Sequence, residues 1–315
     1  MSIKSKLPDI GTTIFTVMSK MAADHQAINL SQGYPDFAVP EALLERLNHY
    51  AVSGNNQYPP MHGIGYLREQ IAQLVKTTYG AAYDVDNEIT VVSGATEGLF
   101  VAIHAIVRSG DEVIVFDPAY DSYDPAVSLA GGRTIHLPLS APDFRIDWDL
   151  VRRSINNKTR AIIVNSPHNP TGAILSSDDL NTLAAIVDSK DIYLISDEVY
   201  EHMVFGNAHH HSFASHDLLK HRTFVVSSFG KTYHATGWKV GYCLAPADMT
   251  HEFRKIHQFV TFTTHTPSQW AIADFLEHHP EHHVELPAFY QAKRDFFLEA
   301  MQGIGFRMSP SLGTY

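Results

Sequence analysis

One cysteine among 315 residues leaves no partner for an intrachain disulfide, so no disulfide framework braces this chain. Cations are in short supply. Lys and Arg number 23 against 34 Asp and Glu, a formal net charge of −11, which argues against non-specific nucleic-acid binding and anionic membrane surfaces. No apolar run is long enough to span a bilayer. The N-terminus, Met1-Ser2-Ile3-Lys4-Ser5-Lys6-Leu7-Pro8, lacks the apolar stretch of a secretory signal, so a cytoplasmic protein is the expectation. Internal repeats and low-complexity linkers are missing too. What remains is ordinary for a soluble globular chain: 44% hydrophobic and 18% charged residues, long enough for a large α/β core and a smaller second lobe. The lone thiol, Cys243, sits in the apolar run Val240-Gly241-Tyr242-Cys243-Leu244-Ala245 and is expected to be buried and inert.

Short apolar runs alternate with helical patterns from Glu88 to Ala245. The strand candidates are 89–92, 112–116, 134–137, 161–164, 193–195, 223–226 and 240–244. Several are β-branched and apolar throughout, as strands covered on both faces must be. Helical stretches such as 97–107 and 178–187 lie between them, and this alternation predicts a wound, mostly parallel sheet. Ligands of such sheets collect at the carboxyl ends of the strands. After Ala245 the pattern is helical, and Pro280-Glu281 is expected to open a long helix reaching about Met301, with the proline in its first turn.

The polar clusters that follow the strand candidates carry the chemistry. Ser227-Ser228-Phe229-Gly230-Lys231-Thr232 puts a lysine in a Ser/Gly-rich turn after an apolar run, and Lys239 follows eight residues later. That is a way to present a reactive amine beside an anionic group. Ser93-Gly94-Ala95-Thr96-Glu97 joins a strand candidate to a helix, where small residues let backbone N–H groups approach an anion. Ser93 or Thr96 serves equally well as a plain helix cap. Ile192-Tyr193-Leu194-Ile195 runs straight into Ser196-Asp197-Glu198-Val199-Tyr200, and Pro167-His168-Asn169-Pro170-Thr171-Gly172 and Asp117-Pro118-Ala119-Tyr120-Asp121 complete the set. Each of these residues alone has a bland alternative as a cap, a turn former or a packing aromatic. Their joint occurrence in this order is what reverses the odds.

Together these strings resemble the pyridoxal-phosphate (PLP) aminotransferases of fold type I, and within them the class I/II branch that holds methionine and kynurenine aminotransferases. The likeness runs from about Ser5 to Tyr315 and includes Gly11-Thr12-Thr13-Ile14-Phe15 and His257-Gln258. It implies an α/β fold: a large domain with a mostly parallel seven-stranded sheet between helices, and a small α+β domain. Residues 1–40 would belong to the small domain, 41–279 to the PLP-binding domain, and 280–315 to a linking helix and the start of the C-terminal lobe. In the resembled family Gly313-Thr314-Tyr315 opens a strand and more of that lobe follows, so the chain reads as a truncated product or fragment. The arginine that clamps the substrate carboxylate would fall beyond Tyr315, and a chain ending here is expected to bind amino acids badly.

The resemblance also assigns roles. Residues matching Gly94, Ala95, Thr96, Ser228 and Lys239 hold the cofactor phosphate. Asp197 pairs with the pyridine nitrogen, since an ionised carboxylate favours its protonated form. Tyr200 and Asn169 bond the ring hydroxylate, and Tyr120 stacks on the ring. Lys231 is the Schiff-base lysine, and its freed amine moves the Cα proton in a ping-pong exchange between an L-amino acid and a 2-oxo acid. Lys231, Asp197 and Tyr200 are thus the catalytic candidates. Gly33, in Leu30-Ser31-Gln32-Gly33-Tyr34-Pro35-Asp36-Phe37, would touch the substrate carboxylate, and Asn169 would face the substrate as well. Tyr34, Tyr123 and Phe262 could line an apolar substrate pocket. Tyr58 matches a tyrosine that reaches the partner subunit's phosphate, and Phe262 an aromatic that crosses the interface, which implies a homodimer with shared sites. Methionine, an aromatic or a glutamine-like amino acid is the expected donor.

Three rivals stand beside this reading. Gly230-Lys231-Thr232 imitates the end of a P-loop, but the required earlier glycine is Val225, inside a strand candidate. Gly63-Ile64-Gly65 likewise completes no dinucleotide fingerprint. A carbon–sulfur β-lyase shares the cofactor residues, and only the length of the likeness favours transamination. A non-enzymatic PLP-binding regulator would carry a DNA-binding module, and no basic helix-turn-helix segment precedes this core. The 20 histidines include His209-His210-His211 and pairs at 278–279 and 282–283. With no His-Glu-x-x-His and one cysteine, these are expected to form a solvated surface patch and no metal site.

Overall fold

In the computed structural model, the residues described are 3–8, 10–31, 33, 35, 37–306, 308 and 311–314. All seven strand candidates form strands: β1 (Ile89–Val92), β2 (Glu112–Asp117), β3 (Arg133–Pro138), β4 (Thr159–Asn165), β5 (Tyr193–Asp197), β6 (Thr223–Ser228) and β7 (Gly241–Leu244). They join one sheet in the order β1-β7-β6-β5-β4-β2-β3. Only β7 runs antiparallel to its neighbours.

Eleven helices are described: α1 (Ile14–Asp24), α2 (Glu41–Val52), α3 (Gly65–Tyr79), α4 (Ala95–Ile106), α5 (Tyr123–Leu129), α6 (Trp148–Ser154), α7 (Ser177–Val187), α8 (Phe229–Thr232), α9 (Ala247–Val260), α10 (Thr266–His278) and α11 (Glu281–Ala300). Their starts follow local chemistry. A capping box between Ser176 and Asp179 opens α7. Pro280 is the residue before the first turn of α11 and not within it, a shift of one position from expectation, and Met301 closes that helix.

The strand periodicity of two sorts the core into two layers. Val91, Ile114, Ile162, Leu194, Val225 and Tyr242 face one side, where α3, α7 and α10 cover them. Val92, Val115, Ile163, Ile195, Val226 and Cys243 face the other, against α4, α5 and α9. Burial on both faces is why these strands read as continuous apolar runs. Edge strand β3 is the exception, with most of its residues at least partly exposed. Cys243 is buried as expected, and burial pushes its thiol well above the usual range. A third, smaller cluster gathers Tyr200, Met203, Phe205, Leu286 and Tyr290, with Phe37 packed on it.

Register then brings the polar strand ends together. Asn165 pairs with Asp197 across β4 and β5, Ser228 with Gly241 across β6 and β7, and Val92 with Gly241 across β1 and β7. Because β7 is reversed, its first residue lies at the carboxyl ends of the others, and Lys239 arrives there with it.

Candidate active site

An open cavity of about 1480 Å³ lies over these strand ends. Gly94, Ala95, Thr96, Tyr120, Asn169, Asp197, Tyr200, Ser228, Lys231 and Lys239 all line it, as does Gly33. Those eleven expected residues were scattered from 33 to 239 in the sequence, and the strand order gathers them.

One end of the cavity is a cup for an anion. Gly94 precedes α4 at φ 76° with no side chain capping the helix, so the first N–H groups of α4 point out of the helix toward the cavity. A Cβ at Gly94 would lie 3.0 Å from both Cε and Nζ of Lys239 and would push that cation back, and the φ of 76° itself favours glycine. Lys239 itself adopts φ 55°. Ser228 adds its hydroxyl beside Gly230, and the Thr96 and Tyr120 hydroxyls lie 3.3 Å apart on the other side.

Asp197, the last residue of β5, is buried behind the cup. Tyr123 Oη donates to its Oδ2 at 2.6 Å and the Val199 N–H donates to Oδ1 at 3.4 Å. Burial raises its pKa to about 6, while those two donors and Lys231 pull the other way. Asn165 holds the corner: its Nδ2 donates to the Asp197 carbonyl at 2.8 Å, and its Oδ1 accepts the Asn169 N–H at 2.8 Å. Sequence reasoning overlooked Asn165. Its signal was a polar residue ending an apolar strand opposite Asp197.

Lys231 enters from α8. Its Nζ lies 5.4 Å from the centre of the Tyr200 ring. Burial and then the neighbouring Lys239 lower its pKa to about 8, opposed by Asp197. An amine in that range is partly neutral near pH 7, which an exposed lysine is not.

Three expectations come out differently. Tyr123 does not line the main cavity. It is 3 % exposed, spends its hydroxyl on Asp197, and turns its ring toward a second cavity of about 510 Å³. Phe262 also stands outside the main cavity, 46 % exposed, in edge-to-face contact at 5.3 Å with Tyr58, which is 82 % exposed and whose expected target is the partner subunit's phosphate, not this cavity. Tyr34 lies outside the described residues. The histidines do not all form a solvated patch either. The His210 ring is buried with Nε2 2.8 Å from Glu198, and His282 Nε2 bonds the Thr232 carbonyl at 2.9 Å. The buried carboxylates Glu198 and Glu201 supply the reason. They need donors, and Glu201 takes hydroxyls from Ser227, Tyr79 and Tyr242.

The family described as "Aminotransferase class I and II" matches residues 25–315. Methionine aminotransferase of Escherichia coli K12 is 51% identical over 312 residues, covering 99% of this chain and 81% of its own length. Human kynurenine–oxoglutarate transaminase 1 is 33% identical over 94% of this chain and 75% of its own length. Among solved structures, YbdL from E. coli, described as having a methionine aminotransferase function, superposes with a TM-score of 0.98 at 50% identity, covering 100% of this chain and 82% of that one. An aspartate aminotransferase of Thermus thermophilus gives a TM-score of 0.92 at 29% identity, covering 100% of this chain and 84% of that one. Aminotransferases of this class use pyridoxal 5'-phosphate. A phosphorylated pyridine aldehyde fits the residues present: a glycine-opened cup with a cation in it, a buried carboxylate, and a half-buried amine lining the same cavity. The chain therefore belongs to the class I and II aminotransferases and is a PLP-dependent enzyme of fold type I.

Proposed function

We propose that this aminotransferase moves the amino group of methionine, or of an aromatic or glutamine-like amino acid, to a 2-oxo acid, with Lys231 as the proton-transfer base. The observation that carries the reading is the Lys231 amine: half-buried, lowered to about 8, and in one cavity with Asp197 and the cup of residues 94–96. When bound, PLP supplies the electron sink that makes a Cα–H bond acidic. The residues do the rest. The α4 amides, Ser228 and Lys239 would bind the phosphate. Asp197, buried and ionised above about pH 6, would hold a proton on the pyridine nitrogen. Tyr120 would pack against the ring, and Asn169 and Tyr200 would orient its oxygen. Lys231 Nζ would take the proton from the substrate Cα and deliver it to the aldehyde-derived carbon of the cofactor, which is what leaves the amino group behind.

The donor class is supported by the cavity wall, where Ile14, Phe15, Ile28 and Leu30 add apolar surface beside Gly33, and by the methionine activity of the E. coli relative. An apolar wall of that kind discriminates only modestly among similar side chains. A homodimer with shared sites is supported by the exposed Tyr58–Phe262 pair, which has no reason to face water. Among the described residues no helix is long and apolar enough to cross a membrane, and with the net charge of −11 this supports a cytoplasmic enzyme.

The test is an absorbance spectrum of the PLP-loaded protein before and after L-methionine, with no oxo acid present. The expected outcome is conversion to the aminated cofactor, reversed by a 2-oxo acid. With L-cystathionine, whose sulfur leaves from Cβ, release of ammonia, pyruvate and a thiol without any oxo acid would convert the reading to a β-lyase.

A further inference from the structure

Beside the anion cup lies a hydrogen-bonded histidine–carboxyl pair that none of the roles above uses. His257, on α9, is 0 % exposed. Its Nδ1 is 2.7 Å from Glu97 Oε1, and its Nε2 is 3.1 Å from the Met61 carbonyl oxygen. A carbonyl only accepts, so Nε2 carries a proton and Nδ1 shares one with Glu97. The other oxygen of Glu97 accepts the Ser93 N–H at 3.0 Å. Ser93 is further anchored, with its Oγ 2.9 Å from the hydroxyls of both Thr261 and Thr264.

The cup needs such an anchor. Its turning point is Gly94, the residue with the most backbone freedom, and no side chain caps α4 there. Glu97 also sits in the first helical turn, where a carboxylate is drawn toward the same N–H groups that would receive a phosphate. Left alone, that carboxylate would compete for the cup and repel the anion. His257 compensates its charge and holds it on the side of Ser93, away from the cavity, since neither Glu97 nor His257 lines the cavity.

We propose that Glu97 and His257 are positioning residues that keep residues 93–96 shaped and electrostatically open for the cofactor phosphate, so that affinity for the phosphate, and not for the pyridine ring, depends on them. This rests on the reading of residues 94–96 as the phosphate site. The bonds of Glu97 and His257 run to Ser93 and to the Met61 carbonyl, which places their influence on the cup.

The experiment titrates the cofactor-depleted full chain with PLP and with pyridoxal, which lacks the phosphate, and follows absorbance. His257→Gln is expected to weaken PLP binding by about tenfold or more, the size of one charge-assisted hydrogen bond, with pyridoxal binding held to about twofold. Glu97→Gln, which removes the competing charge along with the anchor, is expected to lose less. The double variant Glu97→Gln/His257→Gln is expected to recover part of the His257→Gln loss, because the uncompensated carboxylate is gone. Equal weakening of PLP and pyridoxal in these variants would mean a merely structural role and would overturn the proposal, as would PLP binding at the wild-type level. A wild-type chain that binds PLP no more tightly than pyridoxal would instead overturn the phosphate cup itself, and the proposal with it.

Discussion

Burial acts on Lys231 and Asp197 in opposite directions, because it disfavours a charge of either sign. The amine drops to about 8 and the carboxyl rises to about 6. Turnover therefore depends on both, and Lys231→Ala is expected to abolish transamination while circular dichroism stays unchanged. The same burial costs stability. Unfolding returns Lys231 from about 8 to its ordinary 10.5, so in the cofactor-free protein the penalty is full below pH 8 and fades as pH rises toward 10.5. Lys231→Met is expected to raise cofactor-free stability at pH 7 by about 3 kcal/mol, a gain that shrinks by pH 10. Urea unfolding at the two pH values measures it, and a constant gain would refute the cause. Tyr123 is the donor that keeps Asp197 from rising further. Tyr123→Phe is expected to move the Asp197 titration to higher pH, read by carboxyl carbon NMR, and to lower turnover on the acid side.

The site as a unit is the junction of β1, β7 and β6 with α4 and α8. Its closest approach is at Gly241, where a Cβ would meet the Ser227 carbonyl oxygen at 2.4 Å and the Ala95 nitrogen at 3.3 Å. Both neighbours are backbone, so neither can swing aside. Gly241→Ala is expected to destabilise the fold by about 2 kcal/mol and to weaken PLP binding, since the strand pair must part next to the cup. Gly237→Ala is the matched control. No atom lies within 4 Å of a Cβ there, and its effect is expected within about 0.5 kcal/mol by urea unfolding. Equal losses at the two glycines would mean that the junction is not the constrained part.

Across the whole molecule, apolar side chains remain in water near the cavity. Ile28, Leu30, Tyr58 and Phe259 are each more than four-fifths exposed. Exposed apolar side chains of that kind call for a cover of similar character, and in the proposed homodimer a second copy of the chain would supply it. Sedimentation equilibrium is expected to give twice the chain mass, with Phe262→Ala shifting the balance toward the monomer. A monomer at micromolar concentration that still turns over at full rate would end the shared-site reading.

What the sequence determined by itself were the features written in neighbouring residues. Every strand but the edge strand β3 was legible because burial on both faces demands uninterrupted apolar runs. The strings around Lys231, Asp197, Asn169 and Gly94 were legible because each lies in one short turn at a strand end. Partnerships between distant residues were not. Tyr123 and Asp197 are 74 positions apart, and Glu97 and His257 are 160 apart. Nothing in local periodicity says that their side chains meet. Tyr123 read as a pocket aromatic, and His210 as a surface histidine, because a side chain's role depends on which strand ends beside it. Only the tertiary structure decided that, by seating reversed β7 between β1 and β6 and so bringing Lys239 against Gly94.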